Sequence, residues 1–241
     1  MIYNTFVSFY WCYIIDDTKQ ALNERISKLG TIELFSGIST EALSELADLM
    51  KKMTFKKNEV IITQGDKTRS LFIITSGRMK VYANDEDGSQ TIFTFLTQGS
   101  FFGELSLLDD APRSASVIAV ESSTALNLSH QNFNIFLSSH PEICPSLFKA
   151  LTARIRKMDD TICTLTSRDI YGRLVQALYN QATEQDDGTL ITQRLTHQDL
   201  ADMIGSSREM ISRIFKDLKK GEYISIEKKR VIIHKQLPTR W

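Results

Sequence analysis

The segment FFGELSLLDDAPRSASV, residues 101–117, combines groups that suit an anion carrying a sugar. Gly103 allows a ligand to approach the backbone closely, and a short helical turn beginning at Glu104 offers free amides, which bind anions. Arg113 adds a planar cationic fork that matches phosphate, and Ser114 adds a hydroxyl. The Glu104 carboxylate disfavours phosphate but can accept a hydrogen bond from a sugar hydroxyl. The segment therefore indicates a site for an anion with a ribose, and an internal Glu104–Arg113 ion pair is the alternative interpretation.

A second candidate set lies in SSREMISRIFKDLKK, residues 206–220, where apolar residues recur at helical spacing. The residues predicted to form the buried face are Met210, Ile211, Ile214 and Leu218. The residues predicted to share the opposite face are Arg208, Glu209, Ser212, Arg213 and Lys216. Arginine forks suit guanine O6 and N7, and a carboxylate can accept from cytosine N4. The pattern is typical of a helix that recognises DNA bases, and an ordinary solvated helix face is the alternative.

The charge around this helix is locally basic, although the chain is neutral overall. Lys plus Arg and Asp plus Glu each number 29 in the whole chain. Residues 206–235 contain nine basic and four acidic residues, a surplus of five positive charges. Such a surplus suits a phosphate backbone, and Lys229 and Arg230, at the tip between two predicted strands, are expected to contact it.

The elements that must position these residues are a helix-turn-helix and a hairpin. A helix is predicted to begin after Thr196, which caps it with Asp199 three residues on, and to end at Gly205. The next helix ends at Gly221, and YISIE and RVIIHK follow as two strands. Upstream, DIYGRLVQALYNQA predicts an amphipathic helix that EQDDG ends. This order predicts a winged helix-turn-helix over residues 168–241.

The region from about Gly30 to His130 alternates short apolar segments with turn pairs such as Asp87-Gly88. The predicted strands lie in NEVIIT, SLFIITS, RMKVYAN, QTIFTFL, SASVIAV and STALNLS. Regularly spaced short strands with such turns predict an antiparallel sandwich or barrel.

Beyond Pro141 the apolar residues follow a heptad spacing. They are Cys144, Leu147, Leu151, Ile155, Met158, Ile162 and Leu165. A strict heptad repeat predicts a helix that pairs with its twin, so we expect a homodimer through residues 144–165. Packing of the stripe on its own domain is the alternative.

Composition narrows the class of protein. The 241 residues are 42% hydrophobic and 24% charged, as in ordinary globular proteins. The three cysteines, Cys12, Cys144 and Cys163, form no C-x-x-C pair, which argues against a disulfide framework or a zinc site and favours the cytoplasm. Residues 1–28 are interpreted as an extension that packs on the body or stays loose, with a membrane-surface anchor as the minority interpretation. We expect no membrane span, no metal and no enzymatic activity, because no catalytic constellation is visible.

The string RLTHQDLADMIGSSREMISRIFKDLKKGEYI closely resembles the DNA-binding domain of the CRP/FNR family of regulators, and the resemblance covers roughly residues 30–235. In that family the S-R-E-x-x-x-R pattern recognises the bases. The resemblance implies base contacts from Arg208, Glu209 and Arg213, and a phosphate contact from Ser207. It also implies a palindromic operator with TGTGA-like half-sites.

Residues 103–114 look like the phosphate-binding cassette of cyclic-nucleotide-binding domains. The resemblance implies that Glu104 holds the ribose 2′-hydroxyl and that Arg113 and Ser114 hold the cyclic phosphate, with Leu105 beside them. Where the cAMP-responsive activator has a Thr-Ser pair that contacts adenine, this chain has Met158 and Asp159. Asp159 could accept from guanine, or it could be a solvated helix residue, so cAMP, cGMP and cyclic di-GMP all stay open as ligands.

The expected fold is α+β. It consists of an N-terminal jelly-roll-like antiparallel β-roll over residues 29–140, a long dimerisation helix and hinge over 141–167, and the winged helix-turn-helix. The expected function is a ligand-responsive transcription regulator, with the conformational change absorbed between Thr166 and Asp169 and with double-stranded DNA as partner. RNA polymerase stays open as a further partner. The alternatives are a redox or gas sensor of the same fold, for which the lone Cys12 and the four histidines offer no obvious ligand set, or constitutive DNA binding.

Overall fold

The computed structural model describes residue 23 and residues 25–238, so most of the N-terminal extension, including Cys12, lies outside the described residues. The described chain divides into two compact units. The first consists of the chain up to Val81 together with Phe95–Ala153. The second consists of Tyr82–Thr94 and the chain from Arg154 onward.

Strands dominate the first part of the chain and form two four-stranded sheets, with orders β1-β8-β3-β6 and β2-β7-β4-β5. The pairings β1·β8, β3·β8, β3·β6 and β2·β7 are antiparallel. The strands are β1 (Lys51–Phe55), β2 (Val60–Ile62), β3 (Ser70–Ser76), β4 (Arg78–Asn84), β5 (Gln90–Thr97), β6 (Phe101–Phe102), β7 (Ser116–Ala119) and β8 (Ser123–Ser129). The predicted antiparallel β-domain is thereby confirmed.

Strand β3 is buried on both faces, which explains the uninterrupted apolar run of SLFIITS. Alternate side chains of a strand point to opposite faces. Phe72 and Ile74 join one core with Phe102, whose ring stacks on that of Phe72 at a centroid distance of 5.0 Å. Leu71 and Ile73 join a second core on the helical side. Both faces of β3, which pairs with β6 just before the cassette, are thus fixed by packing.

Helices cover that second core. They are α1 (residues 25–30), α2 (Thr40–Leu49), α3 (Leu105–Leu108), α4 (His130–Ser139) and the start of α5 (Cys144–Ser167). Short 3-10 turns lie at Glu33–Phe35 and Pro141–Ile143. The sequence analysis made no prediction for α2 and α4. Each begins at a serine cap that accepts from a backbone amide, Ser39 from Ala42 and Ser129 from Asn132.

The predicted heptad seam on the long helix α5 consists of a part that packs on the core and a part that is exposed. Leu147 is 5% exposed and belongs to the core of the first unit, and Leu151 packs against that core. This part of the seam therefore follows the alternative interpretation, packing on its own domain. The seam residues that stay exposed on the described chain are Ile155 (59%), Met158 (58%), Ile162 (57%) and Leu165 (43%).

The second unit contains the predicted helices and hairpin. Its further elements are α6 (Ile170–Asn180), β9 (Ala182–Glu184), β10 (Leu190–Thr192), α7 (His197–Ile204), α8 (Arg208–Lys220), β11 (Ile224–Glu227) and β12 (Arg230–Ile233). The four strands β9 to β12 form one sheet in the order β11-β12-β10-β9. The β9–β10 hairpin was not predicted, because EQDDG was interpreted only as the end of a helix. Helix α5 ends at Ser167 and α6 is capped by Asp169, so a helix break lies where the hinge was predicted.

Candidate functional site

The first candidate site is built around Gly103, which follows β6 in the left-handed region with φ +86°. A Cβ atom there would lie 2.5 Å from the Ser70 carbonyl oxygen and 2.7 Å from Arg113 Nη1. Only glycine therefore permits the backbone, β3 and the arginine to meet at this point. The group that approaches Gly103 in this structure is the protein's own guanidinium, and the close approach of a ligand at Gly103 stays a prediction.

Arg113 is 4% exposed, and each of its five N–H donors has an acceptor within the protein. Nη1 donates to the Gly103 carbonyl at 2.8 Å and to Ser106 Oγ at 2.7 Å. Nη2 donates to the Ser70 carbonyl at 3.0 Å and to Ser70 Oγ at 3.1 Å. Nε has Thr68 Oγ1 at 3.5 Å. The sequence analysis missed Thr68 and Ser70, which lie outside the motif that singled out Arg113, and it gave no role to Ser106, which lies within the motif.

The segment that carries Arg113 is also fixed through its backbone. The Arg113 N–H donates to the Asp66 carbonyl and the Arg113 carbonyl accepts from the Gly65 N–H, each at 2.8 Å. Ser116 Oγ accepts from the Gln64 amide at 2.9 Å. The loop before β3 and the end of the cassette therefore hold each other in register.

Two effects act on the pKa of Arg113 in opposite directions. Burial lowers the pKa of Arg113, while the negative charges of Glu104 and Asp66 raise it. Glu104 is itself 3% exposed, so the carboxylate expected to hold a sugar hydroxyl lies beside the arginine in the interior. The charge of Glu104 thus contributes to keeping the guanidinium charged.

The outer side of the cassette is accessible. Ser114 is exposed and Leu105 is 38% exposed. Arg69 pairs with the Asp110 carboxylate and donates to the Asp110 carbonyl at 3.3 Å, which ties the cassette loop to the residues before β3. Asp110 has φ +58°, an uncommon conformation for a side-chain-bearing residue that this anchoring holds in place.

Met158 and Asp159, the positions compared with the adenine-contacting pair, lie in the second unit on α5. Met158 is 58% exposed and Asp159 is exposed.

The second candidate site is the helix-turn-helix formed by α7 and α8. Thr196 Oγ1 accepts from the Asp199 amide, and the Asp199 carboxylate accepts from the Thr196 amide, which confirms the predicted capping box. Gly205 ends α7 with φ +64°, and Ser207 caps α8 by accepting from the Met210 amide at 3.2 Å. Arg173 Nη1 donates to the Ile204 carbonyl at 3.0 Å and so ties α6 to the turn.

The predicted recognition face of α8 is exposed along its length. Its exposed residues are Arg208, Glu209, Ser212, Arg213 and Lys216, preceded by exposed Ser207. The buried side chains are Ile211, Ile214, Phe215 and Leu218. The prediction that Met210 is buried was wrong: it is half-buried, and its sulfur lies 2.8 Å from Arg213 Nη2. Phe215 takes its place in the core, because the buried stripe is broader than the four apolar positions first assigned to it.

His197 connects the two helices of this motif. Ser212 Oγ donates to the Arg208 carbonyl at 2.9 Å and accepts from His197 Nδ1 at 2.8 Å. The His197 ring packs edge-on against Phe215 at a centroid distance of 4.7 Å. Burial, and then the positive charges of Lys219 and Arg208, lower the pKa of His197, which favours the neutral ring. The Ser212 hydroxyl is therefore oriented by the protein before any DNA binds.

The hairpin tip carries the predicted basic residues. Glu227 pairs with Arg230, so Lys228 and Lys229 form a two-residue loop. Both lysines have positive φ, 46° and 66°, the geometry of a type I′ turn that usually takes Asn-Gly. Lys229 and Arg230 are exposed, and the Lys229 carbonyl accepts from the Leu195 amide at 2.9 Å.

Comparison with known proteins finds a family match for each of the two domains that carry the candidate sites. Residues 52–140 match the cyclic nucleotide-binding domain family, and residues 172–237 match the Crp-like helix-turn-helix domain family. The chain is 30% identical over 186 residues to the cAMP-activated global transcriptional regulator CRP of Salmonella typhimurium, over 75% of this chain and 88% of that protein. It is 26% identical over 216 residues to the CRP-like cAMP-activated global transcriptional regulator of Mycobacterium tuberculosis, over 88% of this chain and 95% of the relative.

Among solved structures, the chain is similar to the c-di-GMP responsive global regulator CLP of Xanthomonas campestris. The TM-score is 0.72 at 19% sequence identity, over 82% of this chain and 100% of that chain. At this level of identity the likeness concerns the fold.

A cyclic-nucleotide-binding β-domain and a helix-turn-helix in one chain define a DNA-binding transcription regulator rather than an enzyme. More specifically, the chain belongs to the CRP/FNR family of transcription regulators. No helix among the described residues is long and apolar enough to cross a membrane. The same residues contain no cluster of three or more His, Cys, Asp or Glu side chains that could hold a metal ion.

Proposed function

We propose that this chain is a homodimeric regulator that binds palindromic DNA with TGTGA-like half-sites and is controlled by a cyclic nucleotide at residues 103–114. The observation that carries the DNA part is the division of α8 into a buried apolar face and an exposed face with Arg208, Glu209 and Arg213. An arginine fork and a carboxylate on one face suit a guanine next to a cytosine in the major groove. Ser207, Lys216, Lys229 and Arg230 would contact phosphates and fix the register. A DNA partner in turn implies a cytoplasmic protein.

Binding assays with operator variants test the DNA part. Arg208→Ala should cost about 1–3 kcal/mol on the palindrome and relax the preference at one base pair of each half-site. Lys229→Ala is the matched control, since a lost phosphate contact weakens binding to all sequences alike and reduces the salt dependence. If Arg208→Ala behaves like Lys229→Ala, Arg208 contacts only phosphate. Footprinting with and without RNA polymerase tests that further partner.

The dimer is proposed from the exposed half of the α5 seam, Ile155, Met158, Ile162 and Leu165. Four large apolar side chains at heptad spacing need a partner, and a second copy of the helix presents the same spacing. Palindromic DNA likewise requires two recognition helices about one helical turn apart. Sedimentation should give twice the 27.5 kDa of one chain, and Ile162→Asp should give the monomer. Ile135→Asp is the control, because Ile135 is 51% exposed on α4, outside the seam. A wild-type monomer at micromolar concentration would refute the dimer.

The ligand is proposed from the cassette and from the names of relatives, which are described as cAMP-activated or c-di-GMP responsive. Glu104 would accept from the ribose 2′-hydroxyl, and Arg113 with Ser114 would hold the cyclic phosphate. Ligand would act by binding one arrangement of the dimer better than another, since only a difference in affinity shifts a conformational equilibrium. The break between Ser167 and Asp169 is where we expect the change to be absorbed.

Calorimetric titration with cAMP, cGMP and cyclic di-GMP tests the ligand. We expect tight binding of one of them, lost in Arg113→Ala while the sedimentation mass is unchanged. Asp159→Asn then shows whether this carboxylate contributes to guanine selectivity. Binding of none would favour constitutive DNA binding or another signal, and a visible absorption spectrum of the purified protein would indicate a gas or redox sensor.

A further inference from the structure

The guanidinium of Arg113 is held by hydrogen bonds to the protein, and a ligand that binds it must displace some of them. A phosphate that accepts two N–H bonds from Arg113 must replace at least two of the present acceptors, because all five donors are already used. The acceptors are two backbone carbonyls, of Gly103 and Ser70, and the hydroxyls of Thr68, Ser70 and Ser106.

Of these acceptors, the hydroxyls are the ones that an incoming phosphate can displace. A carbonyl is fixed by its backbone, and the Ser70 carbonyl lies at the start of β3, between two packed cores. A serine Oγ can move away by rotation about the Cα–Cβ bond, and its hydroxyl hydrogen can turn so that the group donates to a new acceptor. Ser106 Oγ already donates to the Gly103 carbonyl at 3.3 Å while it accepts from Arg113 Nη1.

We infer that the hydroxyls of Ser70 and Ser106 compete with a bound anion for Arg113 and thereby set the affinity of this site for a cyclic phosphate. The inference rests on the proposed function, because it assumes that Arg113 is the phosphate contact. Phosphate wins the competition because it carries a charge opposite to that of the guanidinium and can accept two parallel N–H bonds, whereas a serine oxygen is a neutral acceptor of one. The two serines are thus affinity-determining residues outside the arginine-serine pair of the cassette.

Removing one hydroxyl has opposite effects on stability and on affinity. In the ligand-free protein, Ser106→Ala leaves a buried N–H of Arg113 without its acceptor, which destabilises the native state. In the complex the phosphate supplies that acceptor, so the loss is not felt there. By linkage the variant should bind the nucleotide about fivefold or more tightly than the wild type, although its ligand-free melting temperature is lower. A residue with a merely structural role would lose stability and affinity together.

The experiment is calorimetric titration of wild type, Ser106→Ala and Ser70→Ala with cAMP, cGMP and cyclic di-GMP, beside thermal unfolding without ligand. Ser70→Ala removes one acceptor of Nη2 but keeps the Ser70 carbonyl, so it tests the same idea if Ser106→Ala folds poorly. Ser123→Ala is the matched control, because this hydroxyl is 1% exposed and accepts from the Arg78 amide, away from the guanidinium of Arg113. The control should lose stability without gaining affinity.

The outcomes separate this inference from the proposed function. Tighter binding in either serine variant, or binding that appears only in those variants, supports the competition. Wild-type binding with unchanged or weaker binding in both variants overturns the competition and leaves the cyclic-nucleotide site standing. If neither wild type nor variants bind any of the three nucleotides, the proposed ligand is wrong and the competition falls with it.

Discussion

Gly103→Ala is the substitution for which the structure gives the sharpest expectation. The new Cβ would lie 2.5 Å from a backbone oxygen, that of Ser70, which cannot rotate away. The residue also has φ +86°, where a side chain costs roughly 1–2 kcal/mol. Forcing an extra methyl into a packed site costs about 1–3 kcal/mol more. The expected loss in the free energy of unfolding is therefore about 2–5 kcal/mol.

Gly65→Ala separates the two contributions. Gly65 has the same φ of +86°, but a Cβ there meets no atom within 4 Å. Its loss should be the conformational cost alone, about 1–2 kcal/mol. The difference between the two variants, about 1–3 kcal/mol, measures the collision with Ser70 and Arg113.

Equilibrium urea unfolding, followed by far-UV circular dichroism, gives both values if the slope of the transition is unchanged. Nucleotide titration of the same samples gives a second readout. Gly103→Ala should weaken binding, because Arg113 Nη1 lies 2.7 Å from the new atom, and Gly65→Ala should bind like the wild type. Equal destabilisation by the two substitutions would show that Gly103 does not lie this close to the Ser70 carbonyl and that the site is more open.

Two further predictions concern other parts of the chain. Hydrogen bonds to Glu45 and Glu142 raise the pKa of His140. The protonated ring therefore stabilises the protein fully below about pH 6.5, and this contribution is lost as the pH rises through the raised pKa. The urea midpoint of wild type should therefore fall towards that of His140→Gln as the pH is raised above about 6.5, and a constant difference between the two midpoints would contradict this contribution. At the hairpin tip, the double substitution Lys228→Asn with Lys229→Gly should stabilise the protein by about 1–2 kcal/mol, because Asn-Gly favours the positive φ angles that both positions adopt. The same double variant should bind all DNA sequences more weakly, and unchanged affinity would remove the tip from the interface.

Local signals in the sequence were enough to predict the elements that carry the DNA site. The capping box at Thr196 and the glycine stop at Gly205 depend on residues at most four positions apart, and both are present as expected. The β9–β10 hairpin had such a signal too, Asp187-Gly188 between Thr-rich segments, and it was missed because the pair was interpreted only as a helix end. Phe215 was missed for another reason: helical spacing alone does not say how wide the buried stripe is.

The environment of Arg113 could not be predicted from local signals, because Thr68 and Ser70 are distant from it in the sequence. Thr68 and Ser70 lie 45 and 43 residues before it, and only the pairing of β3 with its neighbours brings them there. Side chains alternate at the start of β3: Thr68 and Ser70 contact Arg113, while Arg69, between them, pairs with Asp110. A one-residue slip of this segment would exchange these contacts and place Arg69 against the guanidinium of Arg113. The cassette motif identifies the arginine, but the register of a strand outside the motif decides which acceptors an incoming phosphate must displace.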